Sequence, residues 1–457
     1  MTSRRSFLGK TIAAGIISAT SLKVTWSAEE RRKLLSAGCC KKGLRIKSLV
    51  RRDDTITRYP VNGDNWHMTW AADDHQYVSL CDGYGYGDPA RGKFNSRMLT
   101  IEGSATSAKF GDLVNYPFLI PGSTAPRYYN FGTLALGSHI YQFLSTFNRP
   151  APAARADDLK SWNDFHFSGA KLIFSPDNGT TWCNQNGSTP VTWEDWSHRS
   201  RKSLAFFDEP QSSFSLLTVL QMGRNYEANR DGYVYIYAPN GTTEGTMNEL
   251  VMVRAPKAQI LNRESYEFFS GRQSNGGAKW SREIDARASV HTFPSGWVNK
   301  TTHPYAWQPS VAYNAPLGLY MMSTWGMGCT PDGDWFGKPS YLGIYTARNP
   351  WGPWTQIHEE EAWTPNNDPN ARAYQPQIAP KWIAPDGKSF WLVWTDFQTR
   401  CPDDQKGCEP AKSFERVEAA ARKMVNPEEA TRFVAEAFHR IVPYYEFNTQ
   451  RIDLSVV

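Results

Sequence analysis

The chain has 457 residues, with 50 Lys+Arg against 45 Asp+Glu for a formal charge of +5. So small and scattered an excess leaves no basic stripe for a nucleic-acid partner. The 18 Trp, 21 Tyr and 23 Phe, set among 34 Gly and 29 Pro, favour many short strands joined by tight turns and make long helices a minor theme.

Residues 3–10 read SRRSFLGK, followed at 11–22 by TIAAGIISATSL, an apolar run of signal length that is too short to span a bilayer. Arg4, Arg5, Phe7 and Leu8 stand where a twin-arginine signal wants them. Residues 1–28 are therefore expected to direct export of the folded protein by the twin-arginine machinery, to the periplasm or beyond, with no transmembrane span in the mature form. The alternative is a basic N-terminal helix that stays attached, since Ser27 and Ala28 make only an approximate cleavage site. Residues 29–58 are polar and basic and read as a linker, so the folded domain is expected to begin near Tyr59 and run to 457.

From there, five stretches share one plan of two apolar strands and a polar turn, as a propeller blade begins. They lie at 66–81, 132–147, 214–239, 310–325 and 378–396. The tetrads Ala306-Trp307-Gln308-Pro309 and Ala373-Tyr374-Gln375-Pro376 stand at the same point before the last two pairs. Between the second and third, SPDNGTTW at 175–182 matches the S-x-D-x-G-x-T-W Asp-box, a hairpin-turn marker in which Asp177 accepts backbone N–H bonds and Gly179 allows positive φ. The fold class predicted is all-β, a five-bladed propeller. It is interrupted at 411–442, where apolar residues recur at helical spacing and Asn426-Pro427-Glu428-Glu429 opens a helix. The segment 444–454 then returns as a closing strand.

If the first hairpin turns between Asp73 and Asp74, residues whose numbers add to about 147 face one another. Asp64 and Asp82 then share a rim, and two adjacent carboxylates raise each other's proton affinity, as glycoside cleavage requires. The alternative for each is a turn cap. Asn130, Gln211, Gln308 and Gln375 fall at the same entrance in later blades and would ring the mouth of the funnel. Glu209 is the third candidate carboxylate, with Arg224 and Tyr226 as holders of substrate hydroxyls and Trp325 as a sugar-stacking face. For each of these a packing or turn role competes.

Seven cysteines, Cys39, Cys40, Cys81, Cys183, Cys329, Cys401 and Cys408, show no paired C-x-x-C zinc spacing, so no metal cluster is expected. No organic cofactor is called for, and room is left for a structural Ca2+. Cys401 and Cys408 bracket the loop PDDQKG and are expected to form a disulfide after export.

The segments LQMGRNYEANRDGYVYIYAPNG (220–241), LVMVRAPKAQILNRESYEFFSG (250–271), PSVAYNAPLGLY (309–320) and ARNPWGPWT (347–355) resemble a bacterial family of exported propellers. That family is similar to the endo-D-arabinanases of actinobacteria and, at greater distance, to the five-bladed arabinanase and invertase group. The resemblance implies a glycosidase of furanosides whose rim carboxylates correspond to Asp64 and Asp82. The chain departs from the pattern in its helical insertion and in Cys81, where a small residue is usual, and it lacks the arginine triad of sialidases. A carbohydrate-binding propeller without catalysis is the main rival, and an interaction scaffold built on the inserted helices is a third class.

Overall fold

The computed structural model describes residues 44–457 apart from 121–126, 148–165, 195–197, 201, 204, 243–245, 295–306, 331–335 and 402–409. The described residues form mostly antiparallel β-sheet, with two α-helices among them, α1 (Pro410–Ala421) and α2 (Pro427–Ile441). The described strands form four sheets. The largest has eight strands and runs in the order Ala373–Ile378, Ser389–Asp396, Glu446–Val456, Ile46–Asp64, Gln76–Gly85, Arg97–Glu102, Lys109–Asp112, with Met68–Trp70 paired onto Gln76–Gly85.

Hydrogen bonds join the inner strands of successive repeated stretches. Ala135 N donates to Thr69 Oγ1 at 3.0 Å, Gln221 Nε2 to the Thr133 carbonyl at 2.9 Å, Tyr313 N to the Gln221 carbonyl at 2.8 Å and Ile378 N to Ser310 Oγ at 2.9 Å. Asn65 N donates to Gln375 Oε1 at 3.1 Å and Trp66 Nε1 to Thr395 Oγ1 at 2.8 Å, tying the segment before Met68–Trp70 to the strands Ala373–Ile378 and Ser389–Asp396. A narrow central cavity lies between these strands, lined by His67, Thr133, Gln221, Ser310 and Gln377 among others.

Strands covered on both faces need no polar alternation, which explains the run YVYIYAP at Tyr233–Pro239. Val234, Ile236 and Ala238 fill one core, while Tyr237 reaches the Pro350 carbonyl at 2.7 Å and Tyr235 the Asp231 carboxylate, so neither buried hydroxyl is orphaned.

Part of the expected linker is a strand. Ile46–Asp64 pairs with Glu446–Val456 from Ile46↔Val456 to Asn62↔Glu446, so the sheet starts well before Tyr59. Its strand character was hidden by charge: Arg51 pairs with Glu360 at 2.9 Å and Arg52 with Asp54 at 3.0 Å and Asp453 at 3.2 Å. Ionic partners on the same strand, on its paired strand and on a neighbouring sheet replace the apolar alternation that would have marked it.

Between Ser389–Asp396 and Glu446–Val456 the chain makes α1 and α2. Asn426 Oδ1 caps α2, accepting from Glu428 N at 3.0 Å and Glu429 N at 3.4 Å, and Pro427 occupies the first turn. Ala435, Phe438 and Ile441 form the buried stripe of α2 and pack against Tyr84 and Tyr445. Among the described residues no helix is long and apolar enough to cross a membrane.

Candidate functional site

Asp64 ends the long first strand, just before the first inner strand. A Cβ at Gly83 would collide with the Asn62 carbonyl, so the returning strand can approach this closely only as glycine. The ladder adjusts by a bulge: Asn62 pairs with Gly85 but Asp64 with Cys81, one residue short of Asp82. Asp82 takes φ +47°, a left-handed conformation that aspartate tolerates better than most residues. Sequence arithmetic thus brings Asp64 and Asp82 to one rim, while the direct Cα partner is Cys81.

The two carboxylates sit in unlike surroundings. Asp64 is 8% exposed and Asp82 half-buried. On Asp64, Oδ2 accepts from Tyr374 Oη at 2.7 Å and Tyr445 Oη at 2.9 Å, and Oδ1 from Asn65 Nδ2 at 2.7 Å. Burial, and next the charge of Asp82, push Asp64 up to about 7, against the two tyrosine hydroxyls and the charge of Lys93. Asp82 Oδ1 faces Asn95 Nδ2 at 3.4 Å.

Aromatic rings pack beside the pair. Trp307 stacks on Trp325 with centroids 5.5 Å apart, Trp325 lies 5.5 Å from Tyr374, Phe336 5.0 Å from Tyr374, and Phe397 5.6 Å from Tyr445. Trp325 is nearly fully buried and backs the wall, and Trp307, stacked on it, is half-buried.

The other expected residues are distributed differently. Asn130 is buried, accepts the Cys81 thiol at 3.0 Å and donates to the Arg97 carbonyl, so it supports the rim from behind. Gln308 and Gln375 form an inward chain: Gln375 Nε2 donates to Gln308 Oε1 at 2.8 Å while Gln375 Oε1 takes the Asn65 N–H. Their amides join neighbouring inner strands instead of ringing an open mouth. Glu209 follows the outer strand Ala205–Phe207 and is buried in an ion pair with Arg263, whose guanidinium lies over Phe207, Tyr266 and Phe268. No described contact joins it to Asp64 or Asp82.

Arg224 and Tyr226 are corrected outright. The Arg224 guanidinium donates to the Ala72 carbonyl, and neighbouring Asn225 accepts from Gly137 N, which places this loop at the hairpin-turn edge opposite Asp64. Tyr226 is a core residue, its hydroxyl accepting from Tyr235 N at 3.4 Å. The chain from Leu220 runs away from the carboxylate rim, and loop position in the sequence did not reveal which end of the strand it leaves.

Sequence reasoning missed Tyr374, Tyr445 and Trp307. A signal for two of them was present, because Trp307 and Tyr374 occupy the same place in the repeated Ala-aromatic-Gln-Pro tetrad. Tyr445 carries no comparable mark.

Among the described residues, no group of three or more His, Cys, Asp or Glu side chains is placed to hold a metal ion. His67, in the central cavity, is pushed by burial down to about 3 and so is neutral at working pH. Cys401 is disulfide-bonded, and Cys408 lies outside the described residues. The turn at 175–182 is closed by Asp177, which accepts from Thr181 N at 2.7 Å and Ser175 Oγ at 2.9 Å.

No protein-family model and no curated protein matches the chain. Among solved structures, the chain is similar to a candidate hydrolase from Bacteroides ovatus, at 12% identity and TM-score 0.44 over 87% of each chain. It is also similar to the catalytic domain of a GH62 alpha-L-arabinofuranosidase from Coprinopsis cinerea, at 9% identity and TM-score 0.38, over 87% of this chain and 92% of that one. An endo-arabinase from Bacteroides thetaiotaomicron is similar at 11% identity and TM-score 0.35, over 76% of this chain and 92% of that one.

Proposed function

We propose that this protein is an exported glycoside hydrolase on a five-bladed propeller, acting on a polysaccharide or oligosaccharide, with arabinofuranosidic chains as the first substrates to test. The observation that carries the reading is the pairing of Asp64 and Asp82 in unlike environments beside an aromatic wall. Glycoside cleavage needs one carboxyl that holds a proton near neutrality and a second that is ionised and accessible. Asp64, desolvated and next to another carboxylate, suits the first role, donating its proton to the departing glycosidic oxygen. Half-buried Asp82 suits the second, as base towards water or as nucleophile at the anomeric carbon. Half-buried Trp307 is the ring assigned here to stacking on a sugar. Reducing-end release from a panel of polysaccharides, arabinans first, tests the reading. Glycan binding with no release anywhere on the panel would defeat it.

A second reading is a carbohydrate-binding propeller without catalysis. It is favoured by Glu209, held by Arg263, which leaves the carboxylate pair without a third acidic partner among the described contacts. Export is proposed on the SRRSFLGK motif alone. Replacing Arg4 and Arg5 by Lys should leave the protein in the cytoplasm, and unchanged export would remove the twin-arginine route.

A further inference from the structure

Asp64 receives an unusual set of donors. Two phenol hydroxyls, from Tyr374 at 2.7 Å and Tyr445 at 2.9 Å, converge on the single oxygen Oδ2, while Asn65 Nδ2 holds Oδ1 at 2.7 Å. The tyrosines come from far apart in the chain, one from the strand Ala373–Ile378 and one from the turn between α2 and the strand Glu446–Val456. Each is itself fixed. Tyr374 is packed between Trp325 and Phe336. Tyr445 lies edge-on to Phe438 of α2 with centroids 5.2 Å apart, and its N–H donates to the Val442 carbonyl at 3.2 Å.

We propose that Tyr374 and Tyr445 are positioning residues, which by donating two hydroxyls to one oxygen of Asp64 lock the carboxylate in one orientation and stabilise its charged form. The helical segment acquires a role by this: α2 is the support that seats Tyr445 against Asp64. Hydrogen bonds from neutral donors to a carboxylate favour ionisation, and they gain weight where water is excluded. They work here against burial and the charge of Asp82 on the facing strand, and with Lys93, whose ammonium lies 5.5 Å from the Phe438 ring. The inference rests on the hydrolase reading for its purpose but not for its test.

The test follows the Asp64 side-chain carboxyl by carbon-detected NMR titration, with the resonance assigned through Asp64→Asn. Tyr374→Phe and Tyr445→Phe each remove one hydroxyl and keep the ring. Each should raise the Asp64 midpoint by about one pH unit, and the double variant by more. Phe438→Leu, which loosens Tyr445 without touching Asp64, should move the midpoint the same way by less. An unmoved midpoint in both single variants, whatever their melting temperatures, overturns the proposal. Because the titration needs no turnover, it stands or falls separately from the hydrolase reading, which Asp64→Asn kinetics address.

Discussion

Tyr445 and Asp64 are 381 positions apart, yet the hydroxyl of one donates to the carboxylate of the other at 2.9 Å. The contact makes the rim a joint product of the first and last strands. Asp64→Asn and Asp82→Asn should each lower turnover by about 10²- to 10⁴-fold on whichever glycan is cleaved. If instead these residues only shape turns, stability should drop by about 1 kcal/mol and turnover should survive. Rate and melting temperature on the same two proteins separate the outcomes.

Stability should fall as the solution is made alkaline across neutrality. Burial lifts Asp64 to about 7 and Glu446 to about 7, both above their unfolded values. A raised folded value means the folded state holds the proton more tightly. The contribution is therefore complete below about pH 4 and is lost as pH rises through 7. For Asp64 it is on the order of 4 kcal/mol. Urea midpoints between pH 5 and 8 should decline for the natural protein and decline less for Asp64→Asn. Parallel curves would contradict the assignment.

Glu209 gives the opposite pattern. Its side chain is 4% exposed and faces Arg263. Glu209→Gln leaves a buried guanidinium without its counter-charge, which typically costs about 3–5 kcal/mol. Turnover per folded molecule should be unchanged. Replacing Glu209 and Arg263 together by Met should recover much of the stability. A Glu209→Gln protein that melts normally but has lost its activity would return Glu209 to the catalytic set.

Peptide mapping of the oxidised protein should recover Cys401 linked to Cys408. Closing so short a loop contributes about 2–3 kcal/mol on the chain-entropy estimate, so a Cys401→Ser, Cys408→Ser protein should still fold. Recovery of Cys401 joined to Cys39 or Cys40 would show that the bond ties the leader region instead.

Hairpin periodicity made the strand pairs and the Asp64–Asp82 rim legible, because a tight turn fixes which residues face each other. The same arithmetic missed by one residue at Cys81, since a bulge forced by the close approach of Asn62 and Gly83 leaves no trace in hydrophobicity. Strand Ile46–Asp64 was hidden because its outward positions are satisfied by ions, not by apolar contacts. Asn130, Gln308 and Gln375 were placed at the correct height in the fold but assigned the wrong direction. Sequence position sets the rim, whereas the neighbouring strand that each amide bonds is a three-dimensional fact. Tyr445 was beyond reach for the same reason.

The pairing of Ile46–Asp64 with Glu446–Val456 sets an order on biogenesis. A growing chain emerges with its N-terminal strand first, and that strand must wait through nearly the whole of synthesis for the partner that covers it. Until Glu446–Val456 has been made, Asp64 lacks Tyr445 and the edge of Ile46–Asp64 is open to unwanted pairing with other chains. Completion of the carboxylate site and sealing of this exposed edge are therefore one event. It comes late, and it depends on a contact of high sequence separation that forms slowly. Under the twin-arginine route proposed above, that last strand would be the difference between a chain ready to leave and one still prone to aggregate.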